Sequence, residues 1–179
     1  MISLQASDFE LFGLPAAYGL SRSQLDSQWK SLQREAHPDR FASEGAAAQR
    51  IAMQWSVRIN EAYNRLKDPL KRAAYLCELH GAAVNAENNT SMPPAFLMQQ
   101  MEWREALDDC KELKDTGTKI KALESLLVEV DDSHQQALNE VANLIDQAQN
   151  YAAAVGQVRA LMFIEKFAQE VQHQLDVCN

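Results

Sequence analysis

The 179-residue sequence predicts an all-α fold in two bodies. Strand signals are almost absent, while Ala, Leu, Gln and Glu dominate and apolar residues recur at helical spacing. The 6 Gly and 5 Pro sit at boundaries between these periodic stretches. Charge is unevenly shared: residues 1–84 hold 10 Lys/Arg against 9 Asp/Glu, and residues 85–179 hold 7 against 16. Net charges of +1 and −9 point to two bodies with different partners, and the acidic total disfavours nucleic acid.

A short first helix opens at "SDFE", where Ser7 and Glu10 have capping-box spacing, and stops at "GLP". The second opens at "SRSQ", with Ser21 and Gln24 at the same spacing, and carries Leu25, Trp29, Leu32 and Ala36 on one stripe. Pro38 ends it, because proline lacks an amide hydrogen and restrains His37 away from helical geometry. A third helix is expected from about Glu44 to Lys67, with Ala48, Ile51, Trp55, Ile59, Ala62 and Leu66 on one stripe. The second and third would then form an antiparallel hairpin with "HPDRFASEG" at its tip. A fourth starts with Asp68 as N-cap and Pro69 at the first helical position, and Gly81 follows its end.

"AAVNAENNTSMPP" is small, polar and closed by proline, the best domain boundary in the chain. The expected domains are residues 1–81, a linker at 82–93, and 94–179. Asn88 and Asn89 have N-glycosylation spacing, but "MISLQASDFE" lacks the basic n-region that would lead to secretion. Helical stretches at about 94–114, 118–148 and 151–176, joined by short loops, predict a three-helix bundle. The stretch from Leu144 to Leu161 also fits one continuous helix, although the resulting length disfavours it.

Several function classes are disfavoured. No stretch approaches the roughly 18 apolar residues that span a bilayer, so a cytoplasmic protein is expected. Cys77, Cys110 and Cys178 form no Cys-x-x-Cys pair, and Cys77 reads as core. Glycine-rich phosphate loops are missing. Asp131/His134 and Glu170/His173 have the i,i+3 spacing of di-metal bundles, but such sites draw on four helices and solvated polar faces are the simpler reading. Convergence of Glu102, Glu170 and His173 would mark a metalloenzyme. No metal or cofactor is needed to explain the sequence.

Two surfaces remain. Within "REAHPDRF", His37 and Asp39 could be an acid–base pair, part of a metal site, or an ordinary turn. Lys30 and Arg34, four residues apart, face away from the Leu25 stripe, and His37, Asp39 and Arg40 continue that surface. From spacing alone it is either a docking site for an acidic partner or a solvated face ending in a proline turn. In "FLMQQMEWREALDD", Met98, Met101, Glu102, Glu105 and Asp109 share a helical face, and a core stripe should not carry three unpaired carboxylates. The methionines could instead pack inward. Trp103 falls off this face and reads as core, as do Leu97 and Leu107 in part.

A basic second helix, "HPD" at a hairpin tip and an apolar third helix resemble the J-domain of co-chaperones that stimulate an Hsp70 ATPase. "FELFGLP" and "INEAYNRLKDPLKRAAYL" are similar to the start and end of that domain in HscB-type iron–sulfur co-chaperones, and the similarity extends through essentially the whole chain. The resemblance implies an L-shaped pair of domains. It implies that His37, Pro38, Asp39, Lys30, Arg34 and Arg40 contact Hsp70, with Arg40 standing where many relatives have lysine. It also implies that Leu97, Met98, Met101, Glu102, Glu105 and Asp109, joined by Phe163, bind an iron–sulfur cluster scaffold protein. Leucine is usual where Met101 stands, and glutamate where Asp109 stands. The expected role is therefore that of a non-enzymatic co-chaperone coupling Hsp70 to the scaffold, with neither nucleic acid nor membrane as partner. The alternative is a general J-type adaptor carrying a different client, which a bundle without an exposed Met98/Met101/Phe163 patch would favour.

Overall fold

The computed structural model describes residues 4–85 and 90–178, so Asn88 and Asn89 of the glycosylation spacing lie outside the described residues. Every regular element among the described residues is helical. The chain divides into two compact units, Met1–Leu76 and Cys77–Asn179.

In the first unit, α1 (Asp8–Leu11) is closed by the expected capping box: the Glu10 amide donates to Ser7 Oγ at 3.2 Å and the Ser7 amide to Glu10 Oε2 at 2.8 Å. Its Phe9 and Phe12 are buried. Helix α2 (Arg22–Glu35) starts at Ser21, whose side chain accepts from the Gln24 amide. It runs against α3 (Ala46–Lys67) through Leu25, which is fully buried, and through Trp29, stacked on Tyr63 at 4.7 Å between centroids. Trp29 Nε1–H also donates to Asn60 Oδ1 at 2.9 Å. The carboxylate of Asp8 anchors α1 to α3: it is completely buried, 2.7 Å from Arg58 Nη2 and 3.2 Å from Arg65 Nη1.

The tip of the hairpin is a 3-10 helix, Pro38–Glu44, and Gly45 with φ of 94° ends it before α3 begins. That conformation is open to glycine and strained for L side chains. On α3, Ile51 lines one open groove with Ala48, Trp55 and Ile59 of the stripe and with Leu32 and Ala36 of α2, so it keeps its face but is 56% exposed, while Ala52 beside it is buried. Ile59, Ala62 and Leu66 are buried as expected.

Helix α4 (Pro69–Leu79) is capped by Asp68, whose side chain accepts from the Lys71 amide at 3.1 Å. It ends at Gly81, with φ of 78° and the Ala82 amide donating back to the Cys77 carbonyl at 2.9 Å. The division between the units falls within α4 and not at the expected linker. His80, just past α4, and the described linker residues pack into the second unit: His80 stacks on Tyr151 at 3.9 Å, and Val84 is buried. Arg159 donates from Nε to the Val84 carbonyl at 2.8 Å and from Nη1 to that of Ser91 at 3.0 Å.

The second unit is the expected bundle of α5 (Pro94–Glu112), α6 (Thr116–Ala142) and α7 (Tyr151–Cys178). Asp115 caps α6, accepting from the Thr118 amide at 2.8 Å and its hydroxyl at 2.6 Å. Helices α6 and α7 are separate: a π turn, Asn143–Gln147, closes the first, and the Asn150 side chain accepts from the Ala153 amide to start the second. The core centres on Trp103, Leu107, Leu123, Leu161, Ile164 and Phe167. Trp103 stacks on Phe167, and its Nε1–H donates to Glu129 at 2.8 Å, so the ring's one polar atom is satisfied.

Candidate functional site

Each unit exposes one surface that local chemistry builds. On the first, Pro38 holds His37 in extended geometry (φ −66°, ψ 126°), and His37 becomes the N-cap of the 3-10 helix. Its Nδ1 accepts from the Asp39 amide at 3.3 Å, and the Arg40 amide donates to the His37 carbonyl at 3.0 Å. His37 Nδ1 lies 3.6 Å from Asp39 Oδ2, but the Asp39 side chain is 90% exposed. This pair has neither the burial nor the oriented third group that general acid–base catalysis calls for. It is a capped turn that presents a carboxylate to solvent.

Lys30, Arg34 and Arg40 are exposed, with the first two on the α2 face opposite Leu25. Arg34 Nε–H donates to the Lys30 carbonyl at 3.4 Å, and Arg40 Nη1–H donates to the Arg34 carbonyl at 3.3 Å. The second bond ties the 3-10 segment to the end of α2. A guanidinium carries five N–H donors in a planar fork, so this one bond leaves Arg40 able to engage a partner. The structure thus brings the predicted tip residues onto one cationic surface with Asp39 beside it.

On the second unit, Phe96, Trp103, Leu107 and Cys110 are buried on one face of α5. At 3.6 residues per turn, Met98, Met101, Glu102, Glu105 and Asp109 fall on the opposite face. Met98 and Met101 are 67% and 73% exposed, and the three carboxylates make no salt bridge among the described residues. Met98 and Met101 therefore do not pack into the bundle. Leu97, read in part as core, instead lies on the flank of this ridge and is exposed, because it falls about a third of a turn from the buried stripe. Phe163, on α7, is half-buried, its ring 5.8 Å from Phe96 and 5.9 Å from Phe167.

Two features here were not legible in the sequence. Arg104 lies over Phe163 and Phe167 at 5.5 and 5.1 Å, and donates to Glu170 Oε2 at 2.6 Å. A 480 Å³ cleft along the ridge is lined by Met98 and Glu102 on one side and by Gln136 and Glu140 of α6 on the other. Both depend on the register between helices, which no local spacing encodes.

The metal candidates are engaged otherwise. Glu170 is paired with Arg104 and lies 3.8 Å from Lys111, and His134 Nε2 is 3.3 Å from Glu165 rather than paired with Asp131. Among the described residues, no group of three His, Cys, Asp or Glu is placed to hold a metal ion. Burial pushes the Cys77 thiol up to about 11, and it raises that of Cys110 as well. Both thiols therefore stay protonated near neutrality, as inert core groups do.

Each compact unit thus exposes a surface of different chemistry, cationic on the first and acidic with methionine on the second. Residues 92–172 match the family model described as HSCB C-terminal oligomerisation domain. The chain is 49% identical over 176 residues to a co-chaperone protein HscB homolog of Burkholderia multivorans, covering 98% of both chains. The homolog of Paraburkholderia xenovorans matches at the same identity and coverage. Among solved structures, chaperone HscB from Vibrio cholerae superposes with a TM-score of 0.81 at 37% identity, covering 97% of this chain and 100% of that one. The human co-chaperone HscB gives 0.83 over 97% of this chain and 84% of that one; at 21% identity it speaks for the fold alone. This chain belongs to the HscB family of co-chaperones. As a member it is a co-chaperone and not an enzyme, and its hairpin is a J-domain.

Proposed function

We propose that the protein couples a specialised Hsp70 to an iron–sulfur cluster scaffold protein in the cytoplasm. His37, Pro38 and Asp39, with Lys30, Arg34 and Arg40, dock the ATP-bound Hsp70 and accelerate its hydrolysis. Leu97, Met98, Met101, Glu102, Glu105, Asp109 and Phe163 hold the scaffold, so that cluster maturation and ATP hydrolysis proceed together. The observation that carries this reading is the exposure of Met98 and Met101 beside unpaired carboxylates, in a chain nearly half identical to HscB co-chaperones. Flexible, polarisable methionine suits a binding patch, and the carboxylates suit a basic partner. The same exposure favours the scaffold over an unrelated client. No helix among the described residues is long and apolar enough to cross a membrane.

The steady-state ATPase of the cognate Hsp70, with and without scaffold, tests both halves. The wild type should stimulate hydrolysis, and the scaffold should raise it further. Each tenfold acceleration asks the J-domain to favour the partner's transition state by about 1.4 kcal/mol. Normal stimulation by Asp39→Asn would overturn the Hsp70 half. Undiminished scaffold synergy in Met98→Ala/Met101→Ala would overturn the other.

A further inference from the structure

Helix α5 covers only one side of the long α6–α7 pair. It meets α6 at Glu129, which accepts from Trp103 Nε1–H, and at Ser133, 3.3 Å from Gln99. About half a turn around α6, a 690 Å³ groove lies open between α6 and α7. Its apolar lining includes Leu127, Val128, Ile164 and Ala168, and Val128 is 63% exposed. Around it stand Glu124, Asp131, Asp132 and Glu165, with no Lys or Arg among the lining residues. Glu165 has His134 at 3.3 Å, while Glu124, Asp131 and Asp132 make no salt bridge among the described residues.

We propose that this groove is a second docking site, separate from the α5 ridge, for a basic amphipathic helix of a partner protein. Two antiparallel helices leave between them a groove that accepts a further helix by ridge-into-groove packing, so the occupant would complete a four-helix arrangement on the side α5 leaves open. An apolar stripe at i, i+3/i+4 and i+7 would cover Val128 and its neighbours, and flanking Lys or Arg would meet the carboxylate rim. The charge also decides against the second unit of another copy, because like-charged rims facing each other repel.

The test uses the full chain, isotope-labelled, and two synthetic helices of about 18 residues. Both peptides carry a leucine face, backed in one by lysine and in the other by glutamate. At about 0.15 M salt, the lysine peptide should shift amides around Leu127, Val128, Ile164 and Ala168 and leave the α5 ridge unmoved, and the glutamate peptide should not bind. Val128→Lys, and separately Asp131→Asn/Asp132→Asn, should each weaken the lysine peptide roughly tenfold with little change in thermal stability, since these side chains are solvent-facing. Equal binding of the two peptides, shifts on α5, or unchanged affinity in both variants would overturn the proposal. Loss of self-association in Val128→Lys would also overturn it, by making a second copy the occupant.

Discussion

The hairpin tip and the α5 ridge expose functional groups by opposite means. At the tip a helix is broken: Pro38 stops α2, and His37 and Arg40 are then tied to backbone atoms, so the exposed Asp39 sits on a short, hydrogen-bonded frame. On α5 the helix is unbroken, and the ridge is simply the face opposite its buried stripe. The first arrangement fixes a few polar groups in one geometry, which suits triggering a conformational change in a partner. The second offers flexible methionines and unpaired carboxylates, which suits holding a surface. The cores beneath them differ too: both stack aromatic rings, but only the first also buries a carboxylate, Asp8, between two arginines.

The largest expected effect separates the two surfaces. Asp39→Asn should abolish Hsp70 stimulation while leaving scaffold affinity, measured by titration calorimetry, unchanged; a loss of both would mean the surfaces are not independent. Next, Asp8→Ala leaves Arg58 and Arg65 without their buried carboxylate; both arginines reach solvent, so the cost stays below the roughly 3–5 kcal/mol of a fully buried pair. Urea denaturation should show an early transition for the first unit, with the second, followed through Trp103, unmoved. A smaller loss is expected in Met98→Ala/Met101→Ala, about 1–2 kcal/mol of scaffold affinity with an unchanged melting temperature, because neither side chain is core.

The smallest effect is in pH dependence, and here the units should behave alike. Glu10 is held below the usual carboxylate range by hydrogen bonds from Ser7, and Asp115 by those from Thr118. A carboxylate depressed in the folded state stabilises above its unfolded pKa, and the gain is lost as pH falls through the folded value. Both caps should therefore weaken only under acid. Asp115→Asn, which keeps an acceptor but cannot titrate, should flatten that acid dependence for α6 in circular dichroism, and leave α1 as it was.

Much of the site was legible because its signals are short-range. The proline at 38, the caps at Ser7, Ser21 and Asp68, and Gly81 each act within four residues, so they place the ends of helices from sequence alone. The α5 ridge was legible for the same reason, since a helical face follows from period. Ile51 shows where this stops: the period places it on the groove side of α3, but how far the groove closes depends on how α2 and the 3-10 tip pack, and Ile51 is left 56% exposed. Arg104 and the cleft beside Met98 depend on which residues of α6 and α7 come alongside α5.

By itself, then, the sequence determined the helices, their caps, the exposed tripeptide and the outward face of α5, all of them consequences of backbone geometry and neighbours a turn apart. Tertiary structure alone decided that Asp8 is buried between Arg58 and Arg65, about 50 residues away, that Arg159 gathers Val84 and Ser91 into the second unit, and that the units part between Leu76 and Cys77. Those outcomes depend on which distant side chains compete for the same buried space, and that competition is settled only when the helices pack.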